Sequence, residues 1–275
     1  MIKLLVDSTA EINLQEAKEL GIILVPMRVL IDDEEYLVGV NLSKEQFYEK
    51  LSSCKTLPKT SQIIEEEYYD AIKEAVDGGD EVFAMCFSSG ISGSFNNLEK
   101  ASEKFSKDKV EILDTETTTF AYKALVMEAL KMIKNGASLK ELKREISLLK
   151  DKVKLYAVID NVKYLIKGGR LSLAKGMTAT ALNIKPIVTI KNKVEVVTKA
   201  IGFGFGIKTL CKLVQNIDRD KDIYFGHSND LNKLEKLRNL ATTELGIVSD
   251  NICDLGPVIA THVGPGCVGI VYFEK

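Results

Sequence analysis

The chain has 275 residues, and 45% of them are hydrophobic, which is enough for one large or two medium domains with a buried core. Its 37 basic and 39 acidic residues are well mixed and leave a net charge of −2, which argues against nucleic acid as a main partner. Five scattered cysteines without a Cys-x-x-Cys pair, together with only two histidines, argue against a disulfide framework and against a metal site.

The first residues do not predict a secretory signal. Its apolar start, residues 2–6, is interrupted by Asp7, and no later apolar run reaches the ~18 residues of a membrane span. We therefore expect a cytoplasmic protein.

Short apolar strands alternate with helices through the first half of the chain. The hydrophobic pattern predicts strands at residues 3–6, 22–31, 36–40, 81–87 and 110–113. It predicts helices at residues 14–20, 45–53, 64–75, 95–105, 120–134 and 139–150, with Asn13, Ser43 and Ser138 as caps. This alternation is typical of an α/β domain with a parallel sheet and helices on both faces. A ligand crevice borders the carboxyl ends of such strands, so residues 7–8, 88–94 and 114–115 should converge there.

The pattern changes near Lys152, where we place a boundary between domains 1–151 and 152–275. The second domain is predicted to contain strands at 153–159, 223–226 and 268–273, helices at 207–217 and 231–245, and a β-hairpin at 184–198 that turns at 191–193. A hairpin requires antiparallel pairing, so we expect an α/β domain with a mixed or mostly antiparallel sheet.

Two glycine-rich stretches are candidates for ligand binding. Residues 88–94 place four serines at a helix start, where backbone N–H and hydroxyl groups favour an anion by roughly 0.3–1 kcal/mol. Residues 256–271 hold four glycines and two prolines, which predicts a shaped loop that presents Thr261 and His262. Each stretch also has a purely structural interpretation. The hydroxyls at 88–94, like those at 60–61, would then only cap helices, and residues 256–271 would form a tight hairpin with a half-buried histidine.

Nucleotide and hydrolase motifs are absent from these loops. The chain has neither a P-loop nor a Gly-x-Gly-x-x-Gly turn after its first strand, so no nucleotide cofactor is expected. The stretch from Gly90 to Ser94 has a serine where the hydrolase elbow Gly-x-Ser-x-Gly needs its last glycine.

Six short motifs, in this order, resemble the DegV family of bacterial fatty-acid-binding proteins, the acyl-carrying partners of a fatty acid kinase. The motifs are Asp7-Ser8-Thr9, Thr60-Ser61-Gln62, Ser88 to Ser94, Leu165 to Ser172, Ile184 to Ile187, and residues 256–269. The resemblance covers nearly the whole chain and implies the family's EDD fold, with one long-chain fatty acid bound between the two domains. It further implies a carrier that presents the carboxylate to the kinase catalytic protein, for acyl phosphate formation that feeds phospholipid synthesis, and it allows a transient membrane contact.

The resemblance also implies a binding site without a catalytic residue, cofactor or metal. The fatty acid carboxylate is expected to be held by Thr60, Ser92 and His262, with Arg170 nearby. Ser61 and Thr261 are expected to neighbour these residues without holding the carboxylate. Two positions depart from the family pattern: Ile63 stands where proline usually follows Thr-Ser-Gln, and Ile201 stands where a basic residue often follows the hairpin.

Two other functions remain open on the sequence alone. Ser92, Asp254 and His262 occur in the Ser, Asp, His order of α/β-hydrolases, which allows a lipid-ester hydrolase that uses Ser92 and His262. A protein-interaction module is the third interpretation, but it leaves the polar loops unexplained. The segment 198–208 is the expected kinase-docking edge, and its Gly-Phe run is interpreted either as a hinge with buried phenylalanines or as an exposed apolar contact.

Overall fold

The computed structural model describes residues 1–171 and 183–275; Ser172, the last residue of one motif above, lies outside them. The strands in these ranges are β1 (Ile2–Asp7), β2 (Ile23–Val25), β3 (Arg28–Ile31), β4 (Glu34–Leu37), β5 (Lys59–Ser61), β6 (Glu81–Cys86), β7 (Val110–Asp114), β8 (Val153–Val158), β9 (Ile184–Lys191), β10 (Lys193–Ile201), β11 (Tyr224–His227), β12 (Ile252–Asp254) and β13 (Val268–Phe273). The α-helices are α1 (Leu14–Leu20), α2 (Lys44–Ser53), α3 (Glu65–Asp77), α4 (Ser94–Ser102), α5 (Thr119–Lys134), α6 (Leu139–Lys152), α7 (Lys163–Lys167), α8 (Phe203–Leu213), α9 (Leu231–Leu245) and α10 (Pro257–Val263), and a 3₁₀ turn spans Ser8–Ala10.

Four parallel strands form the first sheet, in the order β2-β1-β6-β7. Helices α3 and α4 pack together on its strands, and α5 and α6 form a second such pair. The α/β prediction for the first half is therefore confirmed. Within the described ranges, no helix is both long and apolar enough to cross a membrane.

The single strand predicted at 22–31 is wrong, because the chain turns at Pro26 and Met27. It divides into β2, in the parallel sheet, and β3, which pairs with β4 and β5 in a separate antiparallel sheet. Pro26 has no N–H for a strand ladder, and the Met27 amide donates to the Ser8 hydroxyl at 3.0 Å instead. Thr60 lies in β5, and α3 is capped at Ile64, so the interpretation of residues 60–61 as helix caps is wrong.

The second half folds on a six-stranded sheet in the order β10-β9-β8-β13-β11-β12. Its neighbours are antiparallel except for β11 and β12, and β9 and β10 form the predicted hairpin with Asn192 at the turn in a left-handed conformation (φ 62°). The prediction of a mostly antiparallel sheet is confirmed.

Two glycine-rich segments are helical where the sequence predicted loops. Gly256 caps α10, and Pro257 occupies its first position, where the missing N–H costs nothing, so both the shaped loop and the tight hairpin are wrong. The Gly-Phe run opens α8 instead of forming a hinge, and the Phe205 side chain is 69% exposed, so the interpretation with buried phenylalanines is wrong there.

Helix α5 joins the two large sheets through an apolar contact. It packs against β1 and also against β8, β11 and β13, and one cluster of buried side chains continues across it. Gly226 and Gly269 face each other on β11 and β13 and leave a slot for the Phe120 ring. The domain boundary near Lys152 stays a prediction.

We expect Gly226→Ala to destabilise the fold by about 1–3 kcal/mol, because the added methyl group would lie 2.4 Å from the Phe120 ring. The matched control is Gly204→Ala in α8. No atom lies within 4 Å of the added methyl group, and alanine has the higher helix propensity, so this variant should be at least as stable as wild type. Urea unfolding measures both. Equal stabilities for Gly226→Ala and wild type would show that the slot is not tightly filled.

Candidate functional site

A cavity of about 310 Å³ lies between the loop after β6, strand β5, helix α10 and the segment after α7. Its volume is at the lower end of small-molecule sites, about 300–1,000 Å³. The polar lining residues are Thr9, Thr60, Gln62, Ser92, Thr118, Arg170 and His262. The apolar lining residues are Met27, Phe87, Ile91, Val258 and Ile259.

Two aspartates, of which Asp7 is buried and Asp114 half-buried, hold the loops at the carboxyl ends of the parallel strands. Asp7 has no exposed surface and accepts hydrogen bonds from the Thr9 amide (2.9 Å), the Thr9 hydroxyl (2.6 Å) and the Phe87 amide (3.3 Å). Asp114, at the end of β7, accepts from the Ser89 amide at 3.3 Å. The three strand ends therefore converge as predicted. Burial raises the pKa of Asp7 to about 6, although its hydrogen bonds act in the opposite direction.

The hairpin of the second half fixes the serine loop of the first. The Ser88 hydroxyl donates to the Asn192 carbonyl oxygen at 2.5 Å, and a side chain on Gly90 would collide with that same oxygen. Beyond this contact, the Ser92 hydroxyl lies 3.0 Å from the Ser94 hydroxyl and accepts from the Ser94 amide at 3.2 Å. Ser92 is thus held at the start of α4, on the cavity wall.

His262 and Thr60 meet although 202 residues separate them in the sequence. The Thr60 hydroxyl lies 2.9 Å from His262 Nε2, while Nδ1 is buried without a hydrogen-bond partner among the described residues. Burial, and then the positive charge of Arg170, lower the pKa of His262 to about 4, so the ring is neutral at physiological pH. Gly168 packs against the imidazole, where a side chain would lie 2.6 Å from Nδ1.

Arg170 supplies the positive charge of this cavity. Its Nη1 donates to the Gly168 carbonyl oxygen at 2.5 Å, and no acidic side chain of residues 1–171 or 183–275 pairs with it. Burial lowers its pKa, but an arginine stays charged in proteins. An uncompensated guanidinium beside hydroxyl groups and a neutral imidazole is suited to a small anionic group such as a carboxylate.

The two neighbouring residues lie outside this cavity. Ser61 is exposed on β5, and the Thr261 hydroxyl is buried and donates to the Pro257 carbonyl oxygen at 2.8 Å within α10. Three polar lining residues were not among the candidates, namely Thr9, Gln62 and Thr118. Thr9 and Gln62 belong to the motifs quoted above, which was the available signal, whereas Thr118 belongs to none of them.

The candidate hydrolase triad is not assembled. Asp254 lies beside His227, with 3.5 Å between His227 Nδ1 and Asp254 Oδ1, and it lines a second cavity of about 750 Å³ that does not include His262. The polar partner of His262 is Thr60, and that of Ser92 is Ser94. The second cavity is larger, but its walls carry Lys44, Lys123 and several carboxylates, which are poorly suited to an acyl chain. No cluster of metal-binding side chains occurs in the part of the chain that the structure describes.

Comparison with known proteins decides the family. A family profile described as "Uncharacterised protein, DegV family" matches residues 1–275. The chain belongs to the DegV family. A DegV domain-containing protein of Clostridium acetobutylicum is 32% identical over 285 residues, which cover 100% of this chain and 98% of the relative. A DegV domain-containing protein of Staphylococcus aureus is 28% identical over 273 residues, which cover 98% and 97%.

Solved DegV structures share the whole fold. A fatty acid binding DegV family protein of Streptococcus agalactiae superposes with a TM-score of 0.89 at 29% identity, over 100% of this chain and 99% of that one. A DegV family protein of Thermus thermophilus, described by its fatty acid binding, has the same TM-score and coverage at 25% identity.

The low pKa of His262 predicts a pH dependence of stability. Between its ordinary pKa of 6.5 and about 4, the folded ring binds fewer protons than the unfolded one, so this contribution is complete above pH 6.5 and is lost as the pH falls through 4. Wild type should therefore lose up to about 3 kcal/mol more than His262→Gln between pH 6.5 and 4. Urea unfolding across this range measures the difference. Thr60→Val, which keeps the ring, should follow wild type, and parallel curves for wild type and His262→Gln would contradict the prediction.

Proposed function

We propose that this chain binds one long-chain fatty acid between domains 1–151 and 152–275, with the carboxylate at Thr60, Ser92, His262 and Arg170. The observation that carries the proposal is that these four side chains line one cavity together with five apolar residues. Relatives described as fatty acid binding, from Streptococcus agalactiae and Bacillus subtilis, support it at 29% and 27% identity.

The acyl chain and the carboxylate contribute differently to binding. Burial of a methylene group is worth ~0.8 kcal/mol, so about 14 of them contribute on the order of 11 kcal/mol before ordering costs. Each hydrogen bond to the charged carboxylate adds roughly 1.5–3 kcal/mol at best. The tail therefore sets affinity, and the hydroxyls, imidazole and guanidinium set the direction of the carboxylate.

We further propose that the chain is a non-catalytic carrier in the cytoplasm. It presents the oriented carboxylate to a fatty acid kinase, which forms an acyl phosphate for phospholipid synthesis, and a transient membrane contact delivers or collects the lipid. Support for the kinase comes from the family resemblance. An oriented carboxylate is also the group that such an enzyme phosphorylates.

We expect wild type to purify with one fatty acid, detected by organic extraction and mass spectrometry, and the lipid-free protein to gain thermal stability with palmitate or oleate. Ser92→Ala should keep most of this binding, because the tail dominates, but should lower the rate of phosphorylation by the kinase. Ser61→Ala is the matched control, since its hydroxyl is exposed outside the cavity. A lipid-free wild type without a thermal shift would refute the binding proposal, and wild-type phosphorylation of Ser92→Ala would remove this serine from the site.

Docking to the kinase should depend little on salt. Ile201 and Phe205 are 70% and 69% exposed at the junction of β10 and α8, so the contact is proposed to be apolar rather than electrostatic. Association rates should change little between low and moderate salt, and Phe205→Ser should weaken the complex by about tenfold. Leu148→Ser on α6, where the leucine is 58% exposed, is the control. A steep fall with salt that Lys199→Ala abolishes would show an electrostatic interface instead.

A further inference from the structure

Helix α10 carries three residues of the fatty-acid cavity, Val258, Ile259 and His262, so its position sets the shape of the site. Its C-terminal end is fixed by the Ser228 hydroxyl, which donates to the Gly264 carbonyl oxygen at 2.7 Å. Its N-terminal end follows the short segment 254–256, which runs from the last residue of β12 to the N-cap of α10. The groups that hold this segment therefore control where His262 lies.

Side chains from the first half hold all three residues of segment 254–256. Lys44 Nζ donates to the Asp254 carbonyl oxygen at 2.5 Å, and the Tyr48 hydroxyl donates to the Leu255 carbonyl oxygen at 3.3 Å. The Gly256 amide donates to Glu11 Oε2 at 2.7 Å. Gly256 is the N-cap of α10, and no side chain within the helix caps it.

Glu11 replaces a capping residue that α10 lacks. In a capping box, a glutamate or glutamine at the third helical position accepts from the N-cap amide, as Glu141 does for Ser138 in α6. The third position of α10 is Ile259, which lines the fatty-acid cavity. The carboxylate that bonds the N-cap amide comes instead from Glu11, 245 residues away in the sequence.

The unfavourable backbone conformation and the burial of Glu11 indicate a role beyond ordinary packing. Glu11 adopts a left-handed backbone conformation (φ 55°), which is unfavourable for a residue with a side chain, and it is 8% exposed. Oε1 has no hydrogen-bond partner among the described residues, and burial raises the pKa of Glu11 to about 7. The 3₁₀ turn before Glu11 contributes Thr9 to the same cavity, so this contact joins two elements of the site.

We propose that Glu11 is a positioning residue of the fatty-acid site: its carboxyl group fixes the N-terminal end of α10 and thereby holds His262 against Thr60. This inference rests on the proposed function for its effect on ligand affinity. The effect of Glu11 on His262 does not require a ligand, so the role of Glu11 and the proposed fatty acid binding are tested separately.

The test compares Glu11→Ala, which removes the acceptor, with Glu11→Gln, which keeps it, and with Glu141→Ala, which removes the same kind of acceptor from α6. The chain has two histidines, so NMR of the lipid-free protein shows two imidazole rings, and His227→Asn assigns them. Glu11→Ala should shift the His262 ring signals, raise its pKa toward the ordinary 6.5 and weaken palmitate binding about fivefold, the effect of losing a helix cap. Glu11→Gln should bind palmitate within about twofold of wild type, because its amide oxygen still accepts from the Gly256 amide.

Glu141→Ala should lose stability without a change in the His262 ring or in palmitate affinity. Glu11→Ala with wild-type ring signals, a wild-type pKa and wild-type affinity would overturn the proposal, and so would Glu11→Gln that behaves as Glu11→Ala does. If Glu11→Ala does not fold, Glu11→Met, an apolar side chain of similar length, gives the same comparison. A wild type that binds no palmitate would refute the proposed function, while the ring signals would still decide the role of Glu11.

Discussion

A buried polar atom without a hydrogen-bond partner costs free energy, and this constraint organises the strand ends of the chain. Asp7 is buried, and its carboxylate accepts hydrogen bonds from donors in two different loops. These bonds hold the turn after β1 against the loop after β6. The hydroxyl of Ser88 is satisfied by the hairpin of the other half in the same way. Thr9 and the serine loop beside the smaller cavity are therefore placed by hydrogen bonds, and not only by apolar packing.

Apolar packing performs a different task, which is to hold the two large sheets against α5. The Phe120 ring enters a slot that exists because Gly226 and Gly269 carry no side chains. This contact lies within the buried cluster and involves no residue of the cavity lining. Four other members of the same cluster do line the cavity, so apolar packing also shapes its walls.

Much of the fold could be predicted from the sequence, because alternation, caps and turns are local signals. The hairpin turn at Asn192 and the helix that begins after Ser43 are examples. The break at Pro26 was missed, because apolar residues on both sides of it resemble one strand. The helix after Gly256 was missed because Gly and Pro also mark loops, and here they mark the start of a helix. The contact of Thr60 with His262 spans 202 residues, which no local pattern encodes; only the family resemblance placed both residues in one site.

The charges of the proposed site match what a carrier needs. Arg170 provides one positive charge, and its proximity helps to keep His262 neutral, so a fatty acid carboxylate bound as proposed would meet one cation rather than two. At neutral pH the ring is uncharged and contacts the Thr60 hydroxyl, so in the proposed site it would add no second ion pair to the carboxylate. In the proposed carrier, a single charge pair would leave most of the affinity to the acyl chain and the carboxylate available to the proposed kinase.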